Sequence, residues 1–304
     1  MTIIPRHVTD RFPKGLSILV TGAAGFVGRH LVRHLADRHR VHAVVRTETE
    51  FDADVNVIVH DLSTPIGNAF PDRVDGVIHL AQSPRYRDFP EGASDVFAIN
   101  VASTFQLLEY ARRAGAASFV FTSTGGVYGY SYERFVETDP VSPLNFYFSS
   151  KYSAELLIAN YQAFFNTVVL RIFFAYGPGQ EGMLVPSLID RVLRGETVTV
   201  EGDPGLRINP LYIDDVIRVF EPALAARVPA VVNVAGDEPV TITRLTELIG
   251  EAAGVKPRIG HTGSDAGGDL LGDNRQMRTT LGASPRVPLA EGLRRTVRAL
   301  RSVQ

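Results

Sequence analysis

The chain has 304 residues, 45% of them hydrophobic, with 31 Lys+Arg against 33 Asp+Glu and no cysteine. A formal net charge of −2 offers no global attraction to nucleic acid or to an anionic membrane, and the lack of cysteine excludes a disulfide framework, a thiolate nucleophile and any Cys-based metal site. No stretch approaches the ~18 apolar residues of a membrane span, and residues 1–15 mix Arg, His, Asp and Pro without a signal-type apolar run. A soluble, cytoplasmic protein of about two domains, or one large α/β unit with an added lobe, is expected.

Short Val- and Ile-rich runs alternate with longer segments of helical period, an order that predicts βαβ units and a mostly parallel sheet. Strands are expected at 16–20, 41–45, 55–59, 76–80, 118–122 and 167–172, and helices at 26–37, 94–114 and 147–165. Beyond Tyr176 the chain breaks into shorter elements at Gly177-Pro178-Gly179, at Gly202-Asp203-Pro204-Gly205 and in the Gly/Asp-rich stretch 263–273. Further helices are expected at 185–194, 214–226 and 243–253, with a last one starting near Leu289. The pattern predicts a doubly wound parallel α/β sheet over 1–176 and a smaller α/β lobe over 177–304, part of about 210–235 packing back on the first domain.

The first strand runs into Thr21-Gly22-Ala23-Ala24-Gly25-Phe26-Val27-Gly28, and a helical pattern starts at once. Glycines are needed in such a junction for the tight turn, for close approach of a pyrophosphate and for packing of helix on strand, while the helix N-terminus supplies free N–H groups and the positive end of its dipole. The turn therefore predicts dinucleotide binding through Gly22, Gly25, Phe26, Val27 and Gly28. The second strand ends Val44-Val45-Arg46, beside the expected adenosine ribose. An acidic residue there would bind both ribose hydroxyls, whereas Arg46 suits a 2′-phosphate and leans toward NADP. Gln82-Ser83-Pro84-Arg85-Tyr86 follows the fourth strand, at the carboxyl ends where ligands sit, and is a candidate substrate loop.

Tyr147-Phe148-Ser149-Ser150-Lys151 places a phenol and an ammonium four residues apart on one helix face. Chance is a poor explanation, because the chain has 10 tyrosines and only the lysines Lys14, Lys151 and Lys256, so random placement gives about 0.1 such pairs. A cation beside the phenol favours phenolate and brings a group of ordinary pKa near 10 toward the working range of a general base. Five of the eight histidines fall between His30 and His60, yet no acidic residue completes an H-E-x-x-H pattern, and no metal is expected.

These motifs resemble the extended short-chain dehydrogenase/reductases, specifically the sugar-nucleotide epimerase/dehydratase family. The glycine turn is similar to that family's T-G-x-x-G-F-x-G, and Thr124-Gly125-Gly126-Val127-Tyr128-Gly129 to its S-x-x-V-Y-G. Asn100 resembles the helix Asn that supports the active site, and 170–179 resembles L-R-x-x-N-x-Y-G-P-G. The resemblance implies a Rossmann-type fold, a catalytic trio of Thr124, Tyr147 and Lys151 with Ser123 as a neighbouring hydroxyl, and contacts to the adenosine from Asp61, Leu62, Leu80 and Ala81. It implies a tightly bound NAD or NADP, a nucleotide-sugar substrate facing Gln82, Ser83, Phe174, Val185 and Arg207, and a homodimer formed through the helix pair 94–114 and 147–165. No nucleic acid or membrane partner is implied.

Three departures bear on function. Phe174 stands where the family has a substrate-facing Asn, and Arg207-Ile208-Asn209-Pro210 replaces its R-D-F segment. Gly125-Gly126 replaces the Asp-Glu pair with which 4,6-dehydratases expel the 6-hydroxyl. The expected activity is therefore epimerisation through a transient keto-sugar with the hydride returned to the product. The alternatives are a dehydratase of atypical mechanism and an NADPH-consuming reductase. An enzyme that first oxidises its substrate needs oxidised coenzyme, which moves the lean from NADP to NAD.

Overall fold

The chain is seen in a computed structural model that describes residues 14–263 and 267–301; the reading of 1–15 lies almost wholly outside these, as does part of 263–273. Six strands succeed one another in the first half: β1 (Ser17–Thr21), β2 (Arg40–Val45), β3 (Asn56–Val59), β4 (Gly76–His79), β5 (Ser118–Thr124) and β6 (Asn166–Ile172). A further strand, Ala230–Val234, returns from the second half to pair in parallel with β6. All seven are parallel, in the order 230–234, β6, β5, β4, β1, β2, β3. The direction of winding reverses between β1 and β4, where Thr21 is in register with Val44 on one side and His79 on the other. In open α/β sheets the crevice at the carboxyl end of that switch point holds the ligand.

The alternation of side chains along each strand builds two cores. On one face Leu19, Val44, Val77, Phe119, Phe121 and Val169 meet α3 (Ser103–Arg113) and α4 (Phe146–Ala159). On the other, Ile18, Val20, Ala43, Ile78, Val120 and Leu170 meet α1 (Phe26–Ala36) and the C-terminal helices. Burial on both faces explains why these strands read as continuous apolar runs rather than alternating ones. A short helix α2 (Ala93–Phe97) enters α3 through a wider π turn, Ala98–Ala102, which carries Asn100. The second half contains the helices Leu184–Leu193, Ile242–Ala253 and Leu289–Arg301 around a parallel pair of strands, Thr197–Glu201 and Arg258–Thr262.

Two predicted helices need correction. The expected helix 147–165 stops at Ala159, and Phe165 turns inward to stack on Phe119 and Tyr161 at 5.9 and 6.0 Å. The expected helix 214–226 divides into Ile213–Ile217 and Phe220–Leu224. Pro222 is the cause, since it has no N–H to give and its ring would meet the carbonyl of the preceding turn.

Candidate functional site

Gly22 turns the chain with φ +68°, and a Cβ there would lie 2.7 Å from the Ala81 nitrogen on the neighbouring strand end. A Cβ on Gly28 would lie 2.2 Å from the Gly22 carbonyl oxygen, so α1 rests directly on the turn that precedes it. Gly25 is the N-cap of α1, and no side chain accepts a hydrogen bond from the first turn. The first-turn N–H groups thus face the crevice with no internal competitor, a cradle suited to a diphosphate. Arg46 is exposed just beyond β2. Asp61 is exposed too, and its carboxyl is held below the ordinary range first by hydrogen bonds from Ser63, at 2.9 Å from the amide, with the Arg46 charge adding. Leu62 and Ala81 are buried, Phe26, Val27 and Leu80 half-buried.

Asn145 caps α4 by accepting from the Phe148 amide at 2.9 Å, which places Tyr147 in the first helical turn. There the positive helix end favours an anion. Tyr147 is half-buried, with its ring 5.0 Å from that of Tyr86 and its hydroxyl donating to Gln82 Oε1 at 2.8 Å. Contrary to the lowering expected from a cation one turn away, burial pushes the phenol above its usual value and Tyr86 adds to the effect, because loss of water outweighs the neighbouring charge in the coenzyme-free protein. One turn on, Lys151 is 2% exposed with its Nζ 4.4 Å over the Phe121 ring. Burial draws its pKa down to about 7, while Glu155 one turn further pulls the other way.

Thr124 ends β5 half-exposed; its hydroxyl accepts from the Gly126 amide at 3.1 Å and keeps its own proton to donate. Ser123 is different. It is buried, and its hydroxyl donates to Glu155, so of the two neighbouring hydroxyls only Thr124 faces the crevice with a proton to spare. The predicted support residue Asn100 is 1% exposed and joins two parts of the site. Its amide nitrogen donates to Ser150 Oγ at 2.9 Å and its oxygen accepts from the Ser83 amide at 2.9 Å. A π turn of this kind re-aims one side chain within a helix, and such turns recur at functional sites. Beneath Lys151, His79 is wholly buried between Thr21 Oγ1 at 2.7 Å and Thr104 Oγ1 at 3.0 Å. Burial lowers its pKa to about 3, with Lys151 adding, and so the imidazole stays neutral.

The candidate substrate residues do not all converge. Gln82 is exposed at the crevice, but Ser83 is buried and its hydroxyl is spent on Asp95. Val185 is 2% exposed within the main core, where it packs rather than presents itself to a ligand. Arg207 is exposed, yet its guanidinium pairs with Asp269 at 2.6 Å and its Nε is 2.7 Å from the same carboxylate, a competitor for any diphosphate. Phe174 is half-buried with φ +45°, the one non-glycine of positive φ among the described residues. Asn tolerates that backbone far better than Phe, so the aromatic side chain is held there at a cost of about 1–3 kcal/mol.

Sequence reasoning placed Tyr86 in a candidate substrate loop but not against Tyr147, and it missed Glu155 and Arg171. Glu155 and Arg171 form a buried ion pair, Nη2 to Oε2 at 2.6 Å, each side chain 5% exposed. Arg171 lies 4.6 Å over the Tyr128 ring, and Tyr128 donates to Asn233 at 2.9 Å. A signal existed for Glu155, a carboxylate spaced four and eight residues from Lys151 and Tyr147 on the same helix face. Among the described residues no group of three or more His, Asp or Glu side chains could hold a metal ion, and no helix is long and apolar enough to cross a membrane. His34 and His39 instead contact Glu221, at 3.3 and 3.1 Å.

Comparison with known proteins agrees with this geometry. Residues 18–235 match the NAD dependent epimerase/dehydratase family. The chain is 28% identical to an uncharacterized UDP-glucose epimerase, YtcB, of Bacillus subtilis (strain 168), over 95% of this chain and 99% of that one. It is 32% identical to a dTDP-glucose 4,6-dehydratase of Streptomyces griseus, over 92% of each. Among solved structures, MoeE5 in complex with UDP-glucuronic acid and NAD superposes with a TM-score of 0.84 at 30% identity, covering 95% of this chain and 100% of that one. The UDP-glucuronic acid 4-epimerase from Bacillus cereus, in complex with UDP-glucuronic acid and NAD, gives 0.84 at 27% identity, covering 94% and 99%. The glycine turn at the switch point and the match over most of the chain agree: it belongs to the NAD-dependent epimerase/dehydratase family.

Proposed function

We propose that the chain is an NAD-dependent sugar-nucleotide epimerase that works through a transient keto-sugar. The observation that carries epimerisation over 4,6-dehydration is the packing around Gly125 and Gly126. A Cβ on Gly125 would lie 2.4 Å from Phe173 Cε1, and one on Gly126 2.2 Å from Phe148 Cε1. Aromatic rings occupy the space into which an Asp-Glu pair would project, and both rings would have to shift to admit the proton carriers that expel a 6-hydroxyl. The related structures hold UDP-glucuronic acid or UDP-glucose together with NAD, which supports a UDP-hexose or UDP-hexuronate as substrate.

The cradle of Gly22, Gly25 and Gly28 fits a dinucleotide diphosphate; Leu80 and Ala81 lie against it, Phe26 and Val27 continue it into α1, and Asp61 and Leu62 after β3 are assigned to the adenosine by resemblance. Bound there, NAD supplies a reversible hydride acceptor for the sugar carbon. Tyr147 would remove and later return the hydroxyl proton of the sugar, Thr124 would donate a hydrogen bond to the reacting oxygen, and Lys151 would hold the coenzyme ribose. Asp61 beside Arg46 offsets the attraction of that arginine for a 2′-phosphate, which supports NAD over NADP. Phe97, Phe105 and Leu156 are 55, 50 and 53% exposed on α2, α3 and α4, an apolar surface suited to a homodimer through these helices.

Incubation with NAD and, in turn, UDP-glucose, UDP-glucuronic acid and UDP-N-acetylglucosamine should give an epimer by NMR without net accumulation of reduced nicotinamide. Stoichiometric NADPH consumption would exclude the reading. In Tyr147→Phe, turnover should fall by at least about 100-fold while NAD affinity, measured by calorimetry, stays unchanged. Phe174→Asn relieves the positive-φ strain and adds a donor toward the diphosphate; UDP should bind at least about tenfold more tightly, the worth of one hydrogen bond to a charged group. An unchanged UDP affinity would remove position 174 from the substrate surface.

A further inference from the structure

The loop after β4 reaches the reactive phenol itself. Tyr147 donates to Gln82 Oε1 at 2.8 Å, and Gln82 is held on both sides. Ala81 before it lies against Gly22, where a Cβ would come within 2.7 Å of its nitrogen. Ser83 after it is fixed through its amide to Asn100 at 2.9 Å and through its hydroxyl to Asp95. Tyr86 packs on the Tyr147 ring at 5.0 Å and is itself tied across the crevice, its hydroxyl donating to Met183 Sδ at 3.1 Å. Arg87 covers Tyr86 at 5.0 Å and donates to the Gly182 carbonyl at 2.9 Å. The Gln82 amide is therefore a fixed partner of a hydroxyl that has to lose and regain a proton.

We propose that Gln82 is a positioning residue for Tyr147: its terminal amide keeps the phenol oxygen in one place in both protonation states, accepting through Oε1 from the phenol and donating through Nε2 to the phenolate. The proposal rests on the reading of Tyr147 as the base. A primary amide carries an acceptor and a donor on one carbon, and half a turn about its last bond exchanges them. The proton that leaves the phenol goes elsewhere; Gln82 only follows the change. A carboxylate in the same position could accept from the phenol but would repel the phenolate, whereas an apolar side chain would lose both bonds, and those two losses oppose each other.

The test is ionisation of Tyr147 in the NAD-saturated protein, followed by tyrosinate absorbance and identified as the step that Tyr147→Phe deletes. Gln82→Glu should move that step up by at least about one pH unit, and Gln82→Leu by distinctly less. Equal movement in both variants, or none in either, overturns the role of Gln82, because a merely structural residue does not distinguish a carboxylate from a methyl group by the sign of its charge. Absence of the step in the unaltered protein instead overturns the reading of Tyr147 as a tuned base, and the role of Gln82 with it. The measurement needs no sugar substrate, so it stands apart from the outcome of the substrate screen.

Discussion

Lys151→Met should raise the melting temperature of the coenzyme-free protein while abolishing turnover. Lys151 is 2% exposed, and burial brings its pKa to about 7 against an opposing pull from Glu155. The unfolded chain carries the same group with a pKa near ~10.4, so between about 7 and 10 the unfolded state binds the extra proton and folding works against it. Stability of the unaltered protein should accordingly rise with pH across that window, by roughly 2–3 kcal/mol from about pH 6 to about pH 9. Methionine has a similar shape and no charge to desolvate, so the variant should be more stable at about pH 6 and should lose most of that pH dependence. Scanning calorimetry at the two pH values checks both expectations. A lower melting temperature in the variant at the acid end would mean that the ammonium is well solvated or paired in the folded protein. Turnover should vanish because the ammonium proposed to hold the coenzyme ribose is gone. The coenzyme-free protein is thus expected to hold a destabilising charge at the site where a ribose hydroxyl can later receive it, a local cost retained for function.

The sheet was legible because parallel strands buried on both faces leave continuous apolar runs, and each of the six expected runs matches an observed strand to within one or two residues at its ends. Part of about 210–235 was expected to pack back on the first domain, but Ala230–Val234 was not read as a strand, because its pairing with β6 depends on a return path through the second lobe that no local pattern encodes. The helix ends were misjudged where a local residue overrode periodicity, Pro222 in one case and the inward turn of Phe165 in the other. At the site, the placement of Tyr147 and Lys151 on one helix and of Thr124 at a strand end was legible from spacing and resemblance, because local structure fixes it. Ser83 and Val185 were expected to face substrate and instead lie buried, since side-chain direction in a loop and a first helical turn depends on what packs behind them. The partnership of Gln82 with Tyr147 joins residues 65 apart in sequence, and only the approach of the β4 loop to the start of α4 brings them together.

The pair of Glu155 and Arg171 should give the largest change in stability. Both side chains are 5% exposed, the Nη2 to Oε2 distance is 2.6 Å, and Nε adds two contacts at 3.2 Å. Ser123 donates to the same carboxylate, and the guanidinium lies over the Tyr128 ring. Glu155→Gln leaves a buried guanidinium without its counter-charge, a situation that costs about 3–5 kcal/mol. For a chain of this length that corresponds to a fall in melting temperature of roughly 5–8 °C. Removing both charges is a different case. The double variant Glu155→Met with Arg171→Met discards the pair and the desolvation of each partner, and should recover most of the loss, because a buried ion pair contributes little beyond an apolar pair of similar volume. Glu155→Gln should also lower the Lys151 pKa further from about 7, since Glu155 is the neighbour that raises it, and so NAD affinity at about pH 7 should weaken in a way that recovers toward lower pH. Calorimetry of the two variants with NAD titrations at two pH values separates these effects. Equal melting temperatures in the single and double variants would show that the cost lies in the lost contacts of Glu155 with Ser123 rather than in an uncompensated charge.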